Sequence, residues 1–258
     1  MPSESPTIVA IDTATDVCSV AVLRGELLTE LTETVGHRHS ERVLPMVDEA
    51  LAKAGVSLGN VDVFAFGGGP GSFTGLRIAC GVAQGLAYGK RKRVVGVGNL
   101  RALASNAFAA NTTGDLLLAA IDARMNESYC AIYRRQQVSE VRAPALELPQ
   151  SLAPLAATEN VDIVAGNALA VFSAVWPSER SWIGLPDATS SAAAIATLAR
   201  FDAARGLTVA PEQAAPIYVR DHVAMTIDER RKVSGSRDSP EERAVSGAAT
   251  SRSAREQH

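Results

Sequence analysis

The segment AIDTATDVCSVAVLRGELLTE, residues 10–30, aligns without gaps on AIDARMNESYCAIYRRQQVSE, residues 120–140. Identities are few, but Ala-Ile-Asp opens both. Downstream, VDVFAF at 61–66 is echoed by VDIVAG at 161–166, at a slightly different offset, as expected if the intervening helical segment is shorter in the second copy. Either match alone lies within chance; together they imply two copies of one α/β unit.

The first copy can be read element by element. TIVAIDTA, VCSVAVL and ELLTELTETV, with a turn at Arg24-Gly25, form three short strands with partial alternation of apolar and polar residues. A helix follows, because Val43, Leu44, Val47 and Leu51 recur at helical spacing, with Ser40 as N-cap and Gly55 as stop. VDVFAF is a buried strand. GGGPGSFTG, residues 67–75, is too rich in Gly and Pro for regular structure and leads into a helix from about Thr74 to Tyr88. A strand at 93–97 and a helix from about Asn99 to Ala109 complete the order βββαβαβα. The second half carries helices near Pro149–Ala157, Ala168–Val175 and Ser190–Arg205, and closes with APIYVR. A duplicated βββαβα unit is the arrangement of the actin-like ATPase (ASKHA) superfold, in which two lobes face each other across a nucleotide cleft. The expected organisation is a flexible N-terminus at 1–6, an N-terminal lobe at 7–110, a C-terminal lobe at 111–227 and a charged tail at 228–258. That tail holds seven Arg or Lys and six acidic residues, with few large apolar side chains, too little surface to bury for order.

At 258 residues and 47% hydrophobic, the chain can bury a sizeable core. A net charge of -3 gives no overall footprint for tight RNA binding, so a nucleic-acid role is expected to run through a partner. A local basic patch at Arg91, Lys92 and Arg93 stays open beside its reading as a solvated turn. Cys18, Cys80 and Cys130 are far apart, with no CxxC pair, which argues against a disulfide framework or zinc knuckle and fits a reducing cytosol. No apolar run reaches the roughly 18 residues of a membrane span, and the N-terminus lacks a signal-peptide pattern. A cytoplasmic protein is expected.

Asp12 ends the first strand and is followed by Thr13-Ala14-Thr15, where actin-like ATPases carry an Asp and a Gly-containing phosphate turn. Ala14 suits that job poorly, since its Cβ restricts conformation and close approach. Asp122 is followed by Ala-Arg-Met, again without glycine; both aspartates also read as strand-ending turn caps. In the 67–75 segment, Gly69, Gly71, Ser72 and Thr74 set backbone N–H groups and hydroxyls at a helix N-terminus, which favours an anion. The equal alternative is a tight strand-to-helix turn, and no Walker A ending is present. His37 and His39 are two apart rather than four, which argues against a shared metal, and both are expected in a solvated loop. Gly81, Gly85 and Gly89 recur every four residues along the second helix, at a cost of roughly 1 kcal/mol per interior glycine relative to alanine. That cost implies close approach by another helix, either 41–54 of this chain or one from a partner.

GGGPGSFTGLRIACGVAQGLAYG resembles the most recognisable stretch of the TsaB family, and AIDTATDVCSVAV, HSERVLPMVDEAL, AIDARMNESYCAIY and APIYVRDHVA stand where that family has similar segments. The resemblance spans nearly the whole chain before the tail. It implies a role in forming threonylcarbamoyladenosine next to the tRNA anticodon, as an inactive paralogue that dimerises with the catalytic subunit TsaD and helps recruit the ATPase TsaE. The catalytic subunit's His-x-x-x-His metal motif is missing here, where the chain reads His37-Arg-His-Ser-Glu-Arg-Val. The family's pairing surface maps to Arg42, Leu44, Met46, Ile78, Gly81, Val82 and Gly85 on the two N-lobe helices. The resemblance implies no catalytic residue, no metal and no cofactor turned over by this chain; ATP or ADP at the complex interface, on Asp12, Thr13 and the 69–74 turn, is left open. Expected partners are the TsaD-like paralogue, the TsaE-like ATPase, tRNA through the complex, and a second copy when the chain is free. The competing reading is a self-sufficient actin-like carbamoyl- or phosphotransferase using Asp12 on ATP; a metallopeptidase is the weakest.

Overall fold

The computed structural model describes residues 5–220. The described residues through Val219 form one compact unit, and the predicted 228–258 tail lies outside the described residues. In the first copy, strands β1 (Ile8–Asp12), β2 (Val17–Arg24) and β3 (Leu27–Thr34) are followed by α1 (His39–Ala54), β4 (Val63–Gly69), α2 (Phe73–Lys90), β5 (Arg93–Gly98) and α3 (Asn99–Ala110). In the second, β6 (Leu116–Arg124), β7 (Glu127–Arg134) and β8 (Ser139–Glu147) precede α4 (Pro149–Thr158), β9 (Ile163–Ala165), α5 (Ala168–Val171), β10 (Ile183–Leu185) and α6 (Ala192–Ala204). The sheet orders β3-β2-β1-β4-β5 and β8-β7-β6-β9-β10 are the same order twice, with two antiparallel joints followed by two parallel ones. This is the duplicated βββαβα architecture of the actin-like fold.

β1 is buried on both faces, as a strand in a doubly covered sheet must be. Val9 and Ile11 point into the core beneath α1 and α2, with Val43, Met46, Val47, Ala79 and Ala83. Ile8 and Ala10 point the other way, into a core completed by Ala192, Ile195, Ala196 and Ala199 of α6. The second lobe mirrors this: Leu118 and Ala120 face α4, whereas Leu117 and Ala119 face Leu100, Leu103, Ala104 and Ala107 of α3. Each lobe's last helix therefore covers the other lobe's sheet. Arg101 of α3 and Asp202 of α6 join where the two helices meet, at 2.7 Å.

Several boundaries differ from the sequence expectation. The strand expected at 61–66 runs 63–69, because Gly67 and Gly69 pair with Val97 and Gly98 across a bulge; the first three glycines are strand, not loop. α1 starts at His39, with Arg38 at the N-cap and no side-chain cap, so Ser40 sits inside the first turn. His39 is buried rather than in a solvated loop. Gly55 does end α1, in the left-handed conformation that glycine adopts without a Cβ clash. The helix expected at 168–175 breaks at Phe172 into α5 and a 3₁₀ turn at Ser173–Val175. β10, with three residues, is too short to show a period in the sequence. Among the described residues no helix is long and apolar enough to cross a membrane.

Truncating either exchanged helix at a fully packed position opens a cavity whose cost both lobes share. Leu103→Ala and Ile195→Ala are each expected to lower stability by about 2–5 kcal/mol, with unfolding in urea remaining one transition seen alike by far-UV and tryptophan signals. Two separated transitions would show that the lobes do not depend on the exchange.

Candidate functional site

The sequence singles out two turns, 12–15 and 69–75, and the fold brings them into contact. The Ser72 N–H donates to the Ala14 carbonyl at 2.8 Å, and the Thr13 hydroxyl donates to the Gly75 carbonyl at 2.7 Å. A Cβ on Gly71 would lie 2.8 Å from the Ala14 side chain, and one on Gly75 would collide with the Thr13 carbonyl. Close backbone packing thus accounts for these two glycines. Ser72 caps α2 by accepting from the Gly75 N–H, while Thr74 is exposed. Ile217 donates its N–H to the Gly68 carbonyl at 2.7 Å, and its own carbonyl lies 2.5 Å from where a Gly69 Cβ would stand. The turn is covered by chain from the far end of the sequence.

Asp12 is buried at the end of β1, and its carboxylate is held from three sides. Ala14 N–H and Asn99 Nδ2 donate to Oδ1 at 3.0 and 2.9 Å, and the Ser190 hydroxyl donates to Oδ2 at 2.6 Å. Asn99 Oδ1 in turn accepts from the Gly69 N–H at 2.7 Å. Burial pushes the Asp12 carboxyl above its ordinary value of 3.8, against the lowering pull of the bonds from Ser190, Ala14 and Asn99. A Cβ on Gly67 would stand 2.7 Å from Oδ1, so the strand also closes over it. Two concavities, of about 370 and 200 Å³, lie elsewhere, and Asp12, Thr13 and Ser72 line neither. The geometry makes Asp12 a knot between β1, α3 and the segment before α6. Asp122, its counterpart, accepts from the Arg124 N–H at 2.8 Å.

The seven residues assigned to a pairing surface divide differently. Gly81 and Gly85 face outward, and a Cβ at either, or at Gly89, would meet nothing within 4 Å. The glycine row is therefore not packed on α1 or on any other part of the described chain. Leu44 is 48% exposed on α1, Ile78 and Val82 are half-buried, and Arg42 grips Glu33 at 2.7 Å, holding that carboxyl below its usual range. Met46 is a correction: it is buried in the core, because positions 43, 46, 47 and 50 form the inward stripe of α1. Among the described residues no group of three or more His, Cys, Asp or Glu side chains is placed to hold a metal ion. The His39 Nε2 is buried without a partner among them. All three cysteines are free and buried, and burial pushes the Cys18 and Cys130 thiols up to about 11, out of reach of nucleophilic chemistry near neutrality.

The family model described as "TsaD: tRNA N6-adenosine threonylcarbamoyltransferase" matches residues 31–227. The "tRNA threonylcarbamoyladenosine biosynthesis protein TsaB" of Haemophilus influenzae is 37% identical over 228 residues, 84% of this chain and 94% of that protein. The protein of the same name from Escherichia coli is 38% identical over 224 residues, covering 84% and 96%. The chain belongs to the TsaB family. Its fold agrees: "YeaZ from Pseudomonas aeruginosa" superposes with a TM-score of 0.74 at 39% identity, over 83% of this chain and 99% of that one. A second structure, of "an uncharacterized protein with similarity to peptidase YEAZ from Pseudomonas aeruginosa", gives 0.76 at 38% identity, over 83% and 100%.

In this TsaB-family chain the sequence reading missed Asn99 and Ser190, the two side chains that secure Asp12 from 87 and 178 residues away. It also missed a clasp on the family's signature segment. Arg77 stacks on Phe73 at 3.8 Å and donates to the Tyr218 hydroxyl at 3.0 Å, fastening APIYVR to the first turns of α2. No periodicity marks such residues; only the matching of distant segments would reveal them.

Because the Asp12 carboxyl is raised above its unfolded value of 3.8, its contribution to stability is complete below that value and is lost as pH rises through the folded one. Asp12→Asn is therefore expected to gain on the wild type in urea unfolding as pH rises from about 4 to 8. Asp12→Ala, which orphans Asn99 and the Ala14 N–H, loses about 1–3 kcal/mol at any pH. A difference between Asn and wild type that is flat with pH would contradict the burial.

Proposed function

We propose that this chain is the non-catalytic partner subunit of the complex that forms threonylcarbamoyladenosine next to the tRNA anticodon, supporting a TsaD-like catalytic paralogue. The relatives named for threonylcarbamoyladenosine biosynthesis supply the pathway. The observation that carries the subunit role is the outward glycine row of α2, Gly81, Gly85 and Gly89, with open space above each. A helix that gives up roughly 1 kcal/mol per interior glycine without using the space inside its own chain is shaped for another helix to approach. Leu44 on α1 and Tyr88 on α2 are both exposed and add apolar area on the same two helices.

The chain has little activity alone on this reading, because the carboxylate best placed for phosphate chemistry, Asp12, is buried and already accepts hydrogen bonds from Ala14, Asn99 and Ser190. ATP or ADP at the complex interface, without turnover by this chain, and recruitment of a TsaE-like ATPase belong to the same proposal, as does a reducing cytoplasmic setting for its three free cysteines.

Gly85→Leu isolates the interface from the fold. The new side chain enters open space and improves helix propensity by up to about 1 kcal/mol, so the melting temperature is expected to hold or rise. Co-elution with the catalytic paralogue in gel filtration is expected to vanish. A Gly85→Leu chain that still pairs would sink the reading, and so would ATP turnover by the isolated wild type that Asp12→Ala abolishes.

A further inference from the structure

The strand register gathers basic side chains at one end of the N-terminal lobe. Arg24 pairs with Leu27, Leu23 with Ile8, Ile8 with Val63 and Val63 with Arg93, so the β2–β3 hairpin and the first residues of β1, β4 and β5 lie in one row across the sheet. α1 and α2 finish at that end too. Arg24 donates to the Gly55 carbonyl just past α1, and Lys92, just past α2, pairs with Asp62 ahead of β4 at 3.3 Å. Arg24, Lys53, Lys90, Arg91, Lys92 and Arg93 therefore converge from four elements, and Arg200 of α6 joins them through the Gly25 carbonyl. Asp12 and the Ser72 turn occupy the opposite end of the same sheet.

The carboxylates placed among these cations are already engaged. Glu49 pairs with Lys53, Asp62 with Lys92 and Glu26 with Arg200. Arg93 donates to the Thr208 side chain and carbonyl. Lys90 and Arg91 are exposed and have no hydrogen-bonding side-chain partner or ion pair among the described residues. One cation would suffice to answer the dipole of α2 at its C-terminus; four in succession, joined by three from other elements, exceed that need. In a chain of net charge -3 this is a local excess of positive charge.

We propose that this end of the lobe binds the phosphate backbone of RNA, with Lys90 and Arg91 as its free contacts, and so gives the subunit a direct hold on the tRNA. The identity of the RNA rests on the function proposed above; the polyanion chemistry does not. Backbone binding needs charge without base readout, and exposed cations free of internal partners supply it.

The test titrates a fluorescein-labelled unmodified tRNA transcript by anisotropy, with the full chain alone and in complex with its catalytic paralogue, over about 50–200 mM KCl. Lys90→Gln with Arg91→Gln is expected to weaken binding about ten-fold at the lowest salt and to reduce the slope of log K against log salt by about 2. The charge-preserving pair Lys90→Arg with Arg91→Lys is expected to restore both. Unchanged affinity and slope in the glutamine variant overturn the proposal. So does loss of binding to phosphatidylserine vesicles with tRNA binding intact, which would assign the surface to a membrane. Gel filtration of the same variants with the paralogue separates this from the subunit reading: pairing kept with tRNA binding unaffected sinks the RNA surface alone, whereas failure of the wild-type chain to pair sinks the subunit role.

Discussion

Each of the two sheets has two apolar faces, and the helices that lie between consecutive parallel strands of its own lobe cover just one of them. The second face of the first sheet is closed by α6 and that of the second sheet by α3, each supplied by the other copy. Neither lobe can bury its strands without its neighbour, so the duplication is an energetic unit. The Ala-rich sequence of α6 follows from this, since Ala192, Ala194, Ala196 and Ala199 let the helix axis settle close to the sheet. The polar knot around Asp12 sits where the exchange is anchored: Asn99 opens α3, Ser190 precedes α6, and both reach one carboxylate.

That knot also bears on chemistry. In an actin-like fold the end of the first strand is where a carboxylate meets phosphate across the cleft. Here Ala14 occupies the turn, Gly67 leaves Oδ1 room for Asn99, and the 69–75 segment packs on residues 13 and 14 rather than standing off from them. Asp12, Asn99, Ser190 and the 13–14 turn are hydrogen-bonded within the chain. The second copy differs in another way: α5 has four residues where α2 has eighteen, so among the described residues the second lobe builds no counterpart of the glycine face of α2. The Asp12 turn is thus closed by hydrogen bonds within the chain, whereas α2 presents an open, glycine-lined outer face.

The C-terminal segment links the two regions. From Val209, which bridges to Val94 at the sheet edge, the chain passes Gln84, which donates to the Pro211 and Ala214 carbonyls, and reaches Tyr218 over Arg77 and Phe73. The edge of β5 is thereby covered along part of its length, and α2 is braced from its middle to its N-terminus, leaving the face with Gly81 and Gly85 open.

The duplication, the element order of the first copy, most helices and the glycine row are legible in the chain itself, because these depend on periods of two, 3.6 and four residues and on a repeat that survives in the sequence. It also placed Asp12 and the 67–75 segment at strand ends, since local turn chemistry is written locally. Tertiary structure decided what those residues do. Whether Gly85 packs inward or lies open, whether Met46 faces the core, whether His39 is solvated, and which side chains hydrogen-bond to Asp12 all depend on segments dozens to nearly two hundred residues away. The same holds for the basic end of the lobe: Arg24, Lys53 and Lys90–Arg93 are scattered in the chain, and the sheet register that aligns Arg24 with Arg93, together with the ends of α1 and α2, brings them to one end of the lobe.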